Sequence, residues 1–430
     1  MHRRFNEPSN PDVLAFHEAF ADIVALFQHF TIPEVLESQI AQTRGDIESE
    51  SLLGGLALQF GLATNGRNAL RNAIGVTEEQ PDGTKVWRKL LPRPTDYAKA
   101  TGTHARGAVL VAAVFNAYVT IYNARIADLL RIYTNGTGIL PAGAIHPDLV
   151  KRLAREANKA AMHVLTMCIR ALDYIPPVDL TFGDYLRGII TADLDLVKED
   201  RYNYRIAFVE AFARRGIFPR DLHTLSVEGL RWQGLSVDDA PKSLINVLMM
   251  IEQYLNEARS LSRASLFQLT FDYRKNLHTT LKQVFAADPS LAESLGLDPK
   301  LVTSAATPRV EFEVHSLRAS ERVGPDGQRL PLIVLVLTQE RPLEMDGAAQ
   351  PFPFRGGSTL ILELTKRELK QQLINIKYII TKRLVSQERE QRVRQYLTSG
   401  NRPLRETYFG PETREPFALL HAQAAIEDAR

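Results

Sequence analysis

Apolar residues recur every three to four positions through most of the first 300 residues of this 430-residue chain. This is the period of an amphipathic or buried helix, so it predicts a series of helices. The predicted helices cover residues 12–27, 103–133, 146–175, 181–197, 203–217, 242–261 and 265–287. Between residues 75 and 104 the sequence is rich in proline, glycine, threonine and charge, which predicts a long surface loop.

The pattern changes after Pro299, where apolar and polar residues begin to alternate. Residues 309–323 alternate, residues 324–328 form a turn sequence, and residues 330–341 contain an apolar run typical of a buried strand. Together with residues 356–384, these segments predict about four strands. The predicted fold class is therefore α+β, with a mostly helical lobe over residues 1–305, a small β-rich module over 306–385 and a charged peripheral tail over 386–430.

Composition narrows the functional classes. Hydrophobic residues make up 45% and charged residues 24% of the chain, which are ordinary globular values. The 52 basic and 50 acidic residues leave a net charge of +2, so composition indicates neither a nucleic-acid partner nor an anionic membrane surface. The longest apolar stretch, residues 108–122, is shorter than the about 20 residues of a membrane span. The first residues lack the apolar segment of a secretory signal, and a soluble cytoplasmic protein is expected.

The single cysteine and a cluster of acidic residues could suggest chemistry, but each has a structural explanation. Cys168 is the only cysteine, which excludes a disulfide within the chain, and its place in an apolar helix favours a buried inert thiol. A cluster of acidic residues lacks the glycine and the terminal glutamate of a calcium-binding loop, so a solvated helix end is expected there. The cluster consists of Asp193, Asp195, Glu199 and Asp200.

Two carboxylates on the first apolar helix are the leading candidates for chemistry. Asp12 is the expected N-cap of this helix, after Pro11. Glu18 and Asp22 are four positions apart and therefore share one face. Burying two carboxylates is costly unless a metal, a histidine or an arginine faces them. A solvated stripe on an amphipathic helix is the alternative explanation.

The segment NPDVLAFHEAFADIVALF, residues 10–27, resembles the helix of thermolysin-like metallopeptidases, the gluzincins, that carries the third zinc ligand. The family pattern is Asn-Glu-Ala-x-x-Asp-Ile, and here His17 replaces the asparagine. The resemblance implies that Glu18 is the glutamate ligand of a catalytic zinc, and that Asp22 orients a zinc-binding histidine. His17 points about 100° away from Glu18 around the helix, so it is not counted as a ligand.

A complete gluzincin site also needs His-Glu-x-x-His on a preceding helix, because its histidines bind the metal and its glutamate is the general base. None of the ten histidines forms such a pair. The family's arrangement would place this motif upstream of Met1. Either the chain is a fragment of a longer peptidase or the lineage lost the site. We favour the fragment, because MHRRFNEPSNP is typical of the loop between the two zinc helices.

His104 is the second candidate, at the start of the apolar helix over residues 103–133. The spacing from His104 to Gly107 and Phe115 resembles the gluzincin helix whose histidine donates a hydrogen bond to the oxyanion. An exposed loop histidine is the alternative. Asp96 and Arg93 precede His104, but their spacing does not match the family's supporting residues. The resemblance implies that His104 and the ligand glutamate border one cleft, with their functional atoms within about 10 Å.

The resemblance implies a zinc-dependent endopeptidase with a peptide or protein substrate. The chain supplies one ligand, Glu18, whereas catalytic zinc needs three protein ligands, so an inactive, truncated protein without bound zinc is expected. The alternative is a non-catalytic helical scaffold or interaction protein with a β-rich binding module. No nucleic-acid or membrane partner is expected, and the oligomeric state stays open.

Overall fold

A computed structural model describes residues 9–49, 75–79, 85–222, 224–235, 242–258, 260–300, 311–323, 327, 329–345, 351–366 and 372–398. The N-terminal half is helical, as its apolar period predicts. Its helices are α1 (Pro11–His29), α2 (Pro33–Thr43), α3 (Asp96–Lys99), α4 (Thr103–Tyr133), α5 (Pro147–Arg170), α6 (Phe182–Leu196), α7 (Tyr204–Ala213) and α8 (Val227–Leu230). A 3-10 turn, Ala171–Tyr174, directly follows α5.

Helix α4 is the centre of a helical lobe formed by α1 to α8, and α1, α5 and α7 pack around it. Tyr118 of α4 meets the edge of Phe27 with ring centroids 5.3 Å apart and donates a hydrogen bond of 3.3 Å to the carbonyl of Ala157. By length and composition α4 could cross a membrane, yet 78% of its most apolar window is buried inside the protein. Helices α1 and α2 are long and apolar enough to cross a membrane only if they are counted together, and they are bent by 82° relative to each other. Such burial is typical of a core helix.

Asn10, and not Asp12, caps α1, so the predicted N-cap was wrong. The side chain of Asn10 accepts a hydrogen bond of 2.8 Å from the Asp12 N–H. Pro11 occupies the first helical position, where the missing N–H costs nothing. Asp12 therefore lies inside the first turn, where it is 1% exposed and binds other groups.

The loop predicted between residues 75 and 104 contains regular structure, so that prediction was wrong in part. Strands β1 (Gly75–Glu79) and β2 (Lys85–Lys89) pair antiparallel, and α3 follows them. Five residues give too few alternating positions to separate a short strand from a polar loop by sequence pattern.

The C-terminal half combines helices with one sheet, which confirms the predicted α+β class. The sheet is antiparallel, and its four strands are neighbours in chain order. The elements are α9 (Lys242–Ala258), α10 (Arg263–Ala287), α11 (Pro289–Ser294), β3 (Glu313–Val323), β4 (Arg329–Leu343), β5 (Phe352–Lys366), β6 (Gln372–Lys382) and α12 (Gln387–Thr398).

Both faces of the sheet are covered, which explains the continuous apolar run in β4. Ile333 and Leu335 belong to the core that the sheet shares with α9 and α10. Leu332 and Val334 point to the opposite face, where they share a core with Trp232 of the helical lobe. The predicted domain boundary between residues 305 and 306 lies outside the described residues, as does the tail beyond residue 398. The domain limits stay predictions.

Charged side chains join the helical lobe to the C-terminal half. Four lobe aspartates each pair with a basic residue there: Asp173 with Arg318, Asp179 with Arg389, Asp184 with Lys382 and Asp195 with Lys377. Asp179 and Arg389 are nearly inaccessible and lie 2.7 Å apart. Burial alone would raise the pKa of Asp179, but Arg389 and Lys382 lower it to about 2. Ser9 and Asn10 also donate hydrogen bonds to Asp179, so this aspartate connects the start of α1 to α12.

Candidate functional site

Helices α1 and α4 cross at unusually small residues. A methyl group built on Gly107 of α4 would lie 3.1 Å from the carbonyl oxygen of Ala15 and 3.7 Å from the side chain of Ala19. A residue without a side chain therefore lets the two backbones approach closely. Glu18 and His104 lie one turn or less from this crossing, which brings them to the same end of the helix pair.

The Nδ1 atom of His104 lies 4.0 Å from the Oε2 atom of Glu18. Their side chains are 26% and 25% exposed, so water reaches the pair only in part. The separation is an electrostatic contact and is too long for a hydrogen bond. The other ring nitrogen of His104, Nε2, is buried and has no hydrogen-bond partner among the described residues. The predicted proximity of the two residues is confirmed, whereas their chemical roles stay predictions.

Asp22 lies one helical turn beyond Glu18 and interacts electrostatically with both residues of the pair. Burial raises the pKa of Asp22 from 3.8 to about 6, and the negative charge of Glu18 adds to the rise. His104 acts in the opposite direction. The three sequence-predicted site residues therefore form one coupled group at the α1–α4 crossing.

The described residues alone do not complete a metal site. No group of three or more histidine, cysteine, aspartate or glutamate side chains in this part of the chain could hold a metal ion. Glu18 offers one carboxylate, and a catalytic zinc takes three protein ligands. Buried polar atoms are rarely left unpaired. The buried Nε2 of His104, which has no partner among the described residues, therefore indicates that a further hydrogen-bonding group lies beside it.

The sequence did not reveal that Asp12 joins the start of α1 to the start of α4 next to this site. Asp12 accepts hydrogen bonds from the Tyr97 hydroxyl at 2.5 Å, from the Phe182 N–H at 2.8 Å, and from Nε of Arg106. Arg106 also lies over the Tyr97 ring, 4.0 Å from its centroid. Burial raises the pKa of Tyr97, and Asp12 raises it further. This network fixes the start of α4, two residues from His104, against the start of α1.

A signal for Asp12 was present in the sequence. Positions 12, 16, 19 and 23 follow helical spacing, and all four are buried. Asp12 therefore belongs to the apolar stripe of α1, where a carboxylate requires a partner.

Asp96 does not support His104. Its carboxylate binds Arg215 at 3.0 Å and accepts a hydrogen bond of 3.0 Å from the backbone N–H of Arg93. Arg215 also donates a hydrogen bond of 2.9 Å to Asn116, the polar residue within the apolar helix.

Two members of the acidic cluster, Asp193 and Asp195, are nearly inaccessible to solvent. The prediction of a solvated helix end was therefore wrong for these two residues. Asp193 binds Arg205 at 2.7 Å, and Asp195 is 3% exposed and paired with Lys377. Asp200 accepts hydrogen bonds from two N–H groups at the start of α7. The buried Cys168 matches its prediction, because burial raises the pKa of its thiol to about 12.

No family model, no curated protein and no solved structure matches the chain. The group of Glu18, Asp22 and His104 at the α1–α4 crossing is therefore the evidence that bears on function.

Proposed function

We propose that this chain carries the glutamate and histidine helices of a thermolysin-like zinc endopeptidase. The observation that carries the proposal is the contact of Glu18 and His104, which lie on separate helices with Oε2 and Nδ1 4.0 Å apart. The second ring nitrogen of His104 is buried and unpaired in the part of the chain that the structure describes. The protein would act in the cytoplasm on a peptide or protein substrate.

In this proposal Glu18 would supply one carboxylate ligand, and the histidines of a His-Glu-x-x-His helix, a motif that residues 1–430 do not contain, would supply the others. Zinc, when bound, lowers the pKa of a coordinated water toward 7 and polarises the peptide carbonyl. His104 faces Glu18 through Nδ1, which leaves Nε2 to donate a hydrogen bond to the carbonyl oxygen as negative charge develops. Asp22 accepts a hydrogen bond from one zinc-binding histidine and fixes its orientation.

The coding DNA before the Met1 codon provides the first test. An in-frame segment that encodes His-Glu-x-x-His supports the peptidase, and a stop codon next to a ribosome-binding site contradicts it. A polypeptide extended through that segment should contain one zinc and cleave casein. The Glu18→Gln variant should lose zinc, whereas His104→Ala should keep zinc and lose about 100-fold or more in kcat. Glu34→Gln, at an exposed position of α2, is the matched control.

The second candidate is a non-catalytic scaffold or interaction protein. The specific observation in its favour is that Glu18 and His104, a quarter exposed, lie at a distance typical of an ordinary electrostatic contact between two packed helices. Under this alternative the extended polypeptide neither binds zinc nor cleaves protein, and Glu18 and His104 act only as a partly exposed contact between α1 and α4.

A further inference from the structure

A second potential site lies far from the Glu18–His104 pair. A cavity of about 470 Å³ opens between the end of α5, the connection from α6 to α7, and the end of β3. Arg125 lines it, and this residue lies about 30 Å beyond His104 along α4. The volume falls within the roughly 300–1,000 Å³ of small-molecule pockets. Neither Glu18 nor His104 lines this cavity, so the two sites are separate.

The cavity has an apolar wall. Met167 of α5, Leu196 and Val197 at the end of α6, and Val323 of β3 contribute it. Val323 is 58% exposed and lies at the edge of the cavity. A wall of this kind favours a ligand with a hydrocarbon or aromatic body, since burial of apolar area is the main source of its affinity.

Most charged groups around the cavity already have partners. Arg125 binds Glu156 and donates a hydrogen bond of 3.1 Å to the Tyr204 hydroxyl. His163 lies 3.2 Å from the same hydroxyl. Among the acids, Asp193 binds Arg205, and Asp200 accepts two backbone hydrogen bonds at the start of α7.

Two arginines of the lining form no ion pair among the described residues: Arg201, which is exposed and lies over the Tyr202 ring, and Arg170, which is half-buried. No carboxylate in the described part of the chain lies within ion-pair distance of the Arg170 guanidinium, although Asp193 interacts with it at longer range. Burial lowers the pKa of Arg170, and the positive charge of Arg322 lowers it further. A half-buried cation without an ion-pair partner gains stability from an anion that enters the cavity.

We propose that this cavity binds a small monocarboxylate with an apolar body. The Arg170 guanidinium binds the carboxylate through two parallel hydrogen bonds, and Met167 and Leu196 contact the apolar body. A single charge is preferred, because acidic and arginine side chains are equally numerous in the lining, which leaves no net positive charge to favour a dianion such as phosphate. An ammonium ligand would face Arg170 itself and is excluded.

Calorimetry on the full chain tests the proposal with octanoate as the probe. Octanoate should bind one to one with a Kd of about 1 mM or lower. Octan-1-ol, octylammonium and inorganic phosphate should each bind at least tenfold more weakly. Arg170→Gln should weaken octanoate at least tenfold and leave octan-1-ol unchanged, and Arg170→Lys should keep part of the affinity. Val323→Trp, which narrows the mouth, should weaken both octanoate and octan-1-ol.

Arg155→Gln is the matched control, because Arg155 lies exposed on the same helix and away from the cavity. It should leave octanoate binding unchanged. Equal affinity for octanoate and octan-1-ol, equal weakening by Arg155→Gln and Arg170→Gln, or no octanoate binding would each overturn the proposal. Thermal unfolding of each variant confirms that the fold is intact, so loss of binding is not mistaken for loss of structure.

Discussion

His104 and Glu18 are far apart in the sequence, yet His104 Nδ1 lies 4.0 Å from Glu18 Oε2 where α4 crosses α1. The crossing is close because Gly107 lacks a side chain against Ala15. The pair therefore depends on backbone packing as well as on its own charges, and both can be tested.

Replacing Asp22 with asparagine should stabilise the protein at neutral pH. The pKa of Asp22 is about 6 in the fold and 3.8 ordinarily, so between these values the folded state holds a proton that the unfolded chain has lost. Stability therefore falls as pH rises from about 4 to about 6, and the loss persists above that range. We expect a gain of about 1–2 kcal/mol at pH 7 and none below about pH 4, measured by urea unfolding.

Asp128→Asn is the control for this pH effect. Asp128 is exposed on α4, and its carboxylate accepts a hydrogen bond of 2.8 Å from the neighbouring Leu129 N–H. If both variants change stability equally at every pH, the coupled burial of Asp22 is not the cause.

Replacing Gly107 with valine should separate α1 from α4. The added side chain meets the Ala15 carbonyl and the Ala19 methyl, and overpacking of this kind costs about 1–3 kcal/mol. Ala105→Val places the same residue at an exposed position of the same helix and should cost only its lower helix propensity, below about 1 kcal/mol. Denaturant unfolding of both variants compares the two costs, and equal losses would show that the close crossing is unimportant.

Removing the carboxylate of Asp12 should be among the most damaging single changes. Asp12→Ala leaves Arg106 buried without its acid and the Tyr97 hydroxyl without its acceptor, at a cost of about 3–5 kcal/mol. A double-mutant cycle with Arg106→Ala measures the coupling, which we expect to be about 1–3 kcal/mol. Additive losses would mean that the two side chains stabilise the fold independently.

The contact between Asp179 and Arg389 should stabilise the docking of α12 on the lobe. Arg389→Ala leaves Asp179 charged and buried, at a cost of about 3–5 kcal/mol. Arg392→Ala removes a pair on the same helix whose partner, Glu388, is 65% exposed, and should cost about 1 kcal/mol or less. Urea unfolding measures both, and similar costs would contradict a special role for the buried pair.

Residues 1–430 alone should bind zinc no better than incidentally. Glu18 is one ligand, and the described residues provide no group of three. Calorimetric titration with zinc measures this directly. Tight stoichiometric binding by this chain would refute an incomplete site and would require further ligands.

Local patterns predicted most of the elements. The helical period marked α1, α4 and α5, and the alternation after Pro299 marked the sheet, because a buried face repeats along the chain with the geometry of its own element. The coupling of Glu18 with Asp22 was equally local, since residues four apart on a helix share a face. The short strands β1 and β2 were not predicted, because five residues give too few alternating apolar and polar positions to identify a strand.

Contacts between distant segments needed the tertiary structure. The sequence predicted Asp12 only as the N-cap of α1, whereas the structure places it on the buried face of that helix, where Arg106 and Tyr97 bind it. The sequence determined the apolar run of β4, but not that α9 covers one face and the helical lobe the other. The contact of His104 with Glu18 likewise needed the packing of α4 on α1. Partners of this kind are set by how elements pack in space, and periodicity along one chain segment carries no information about the segment that will lie against it.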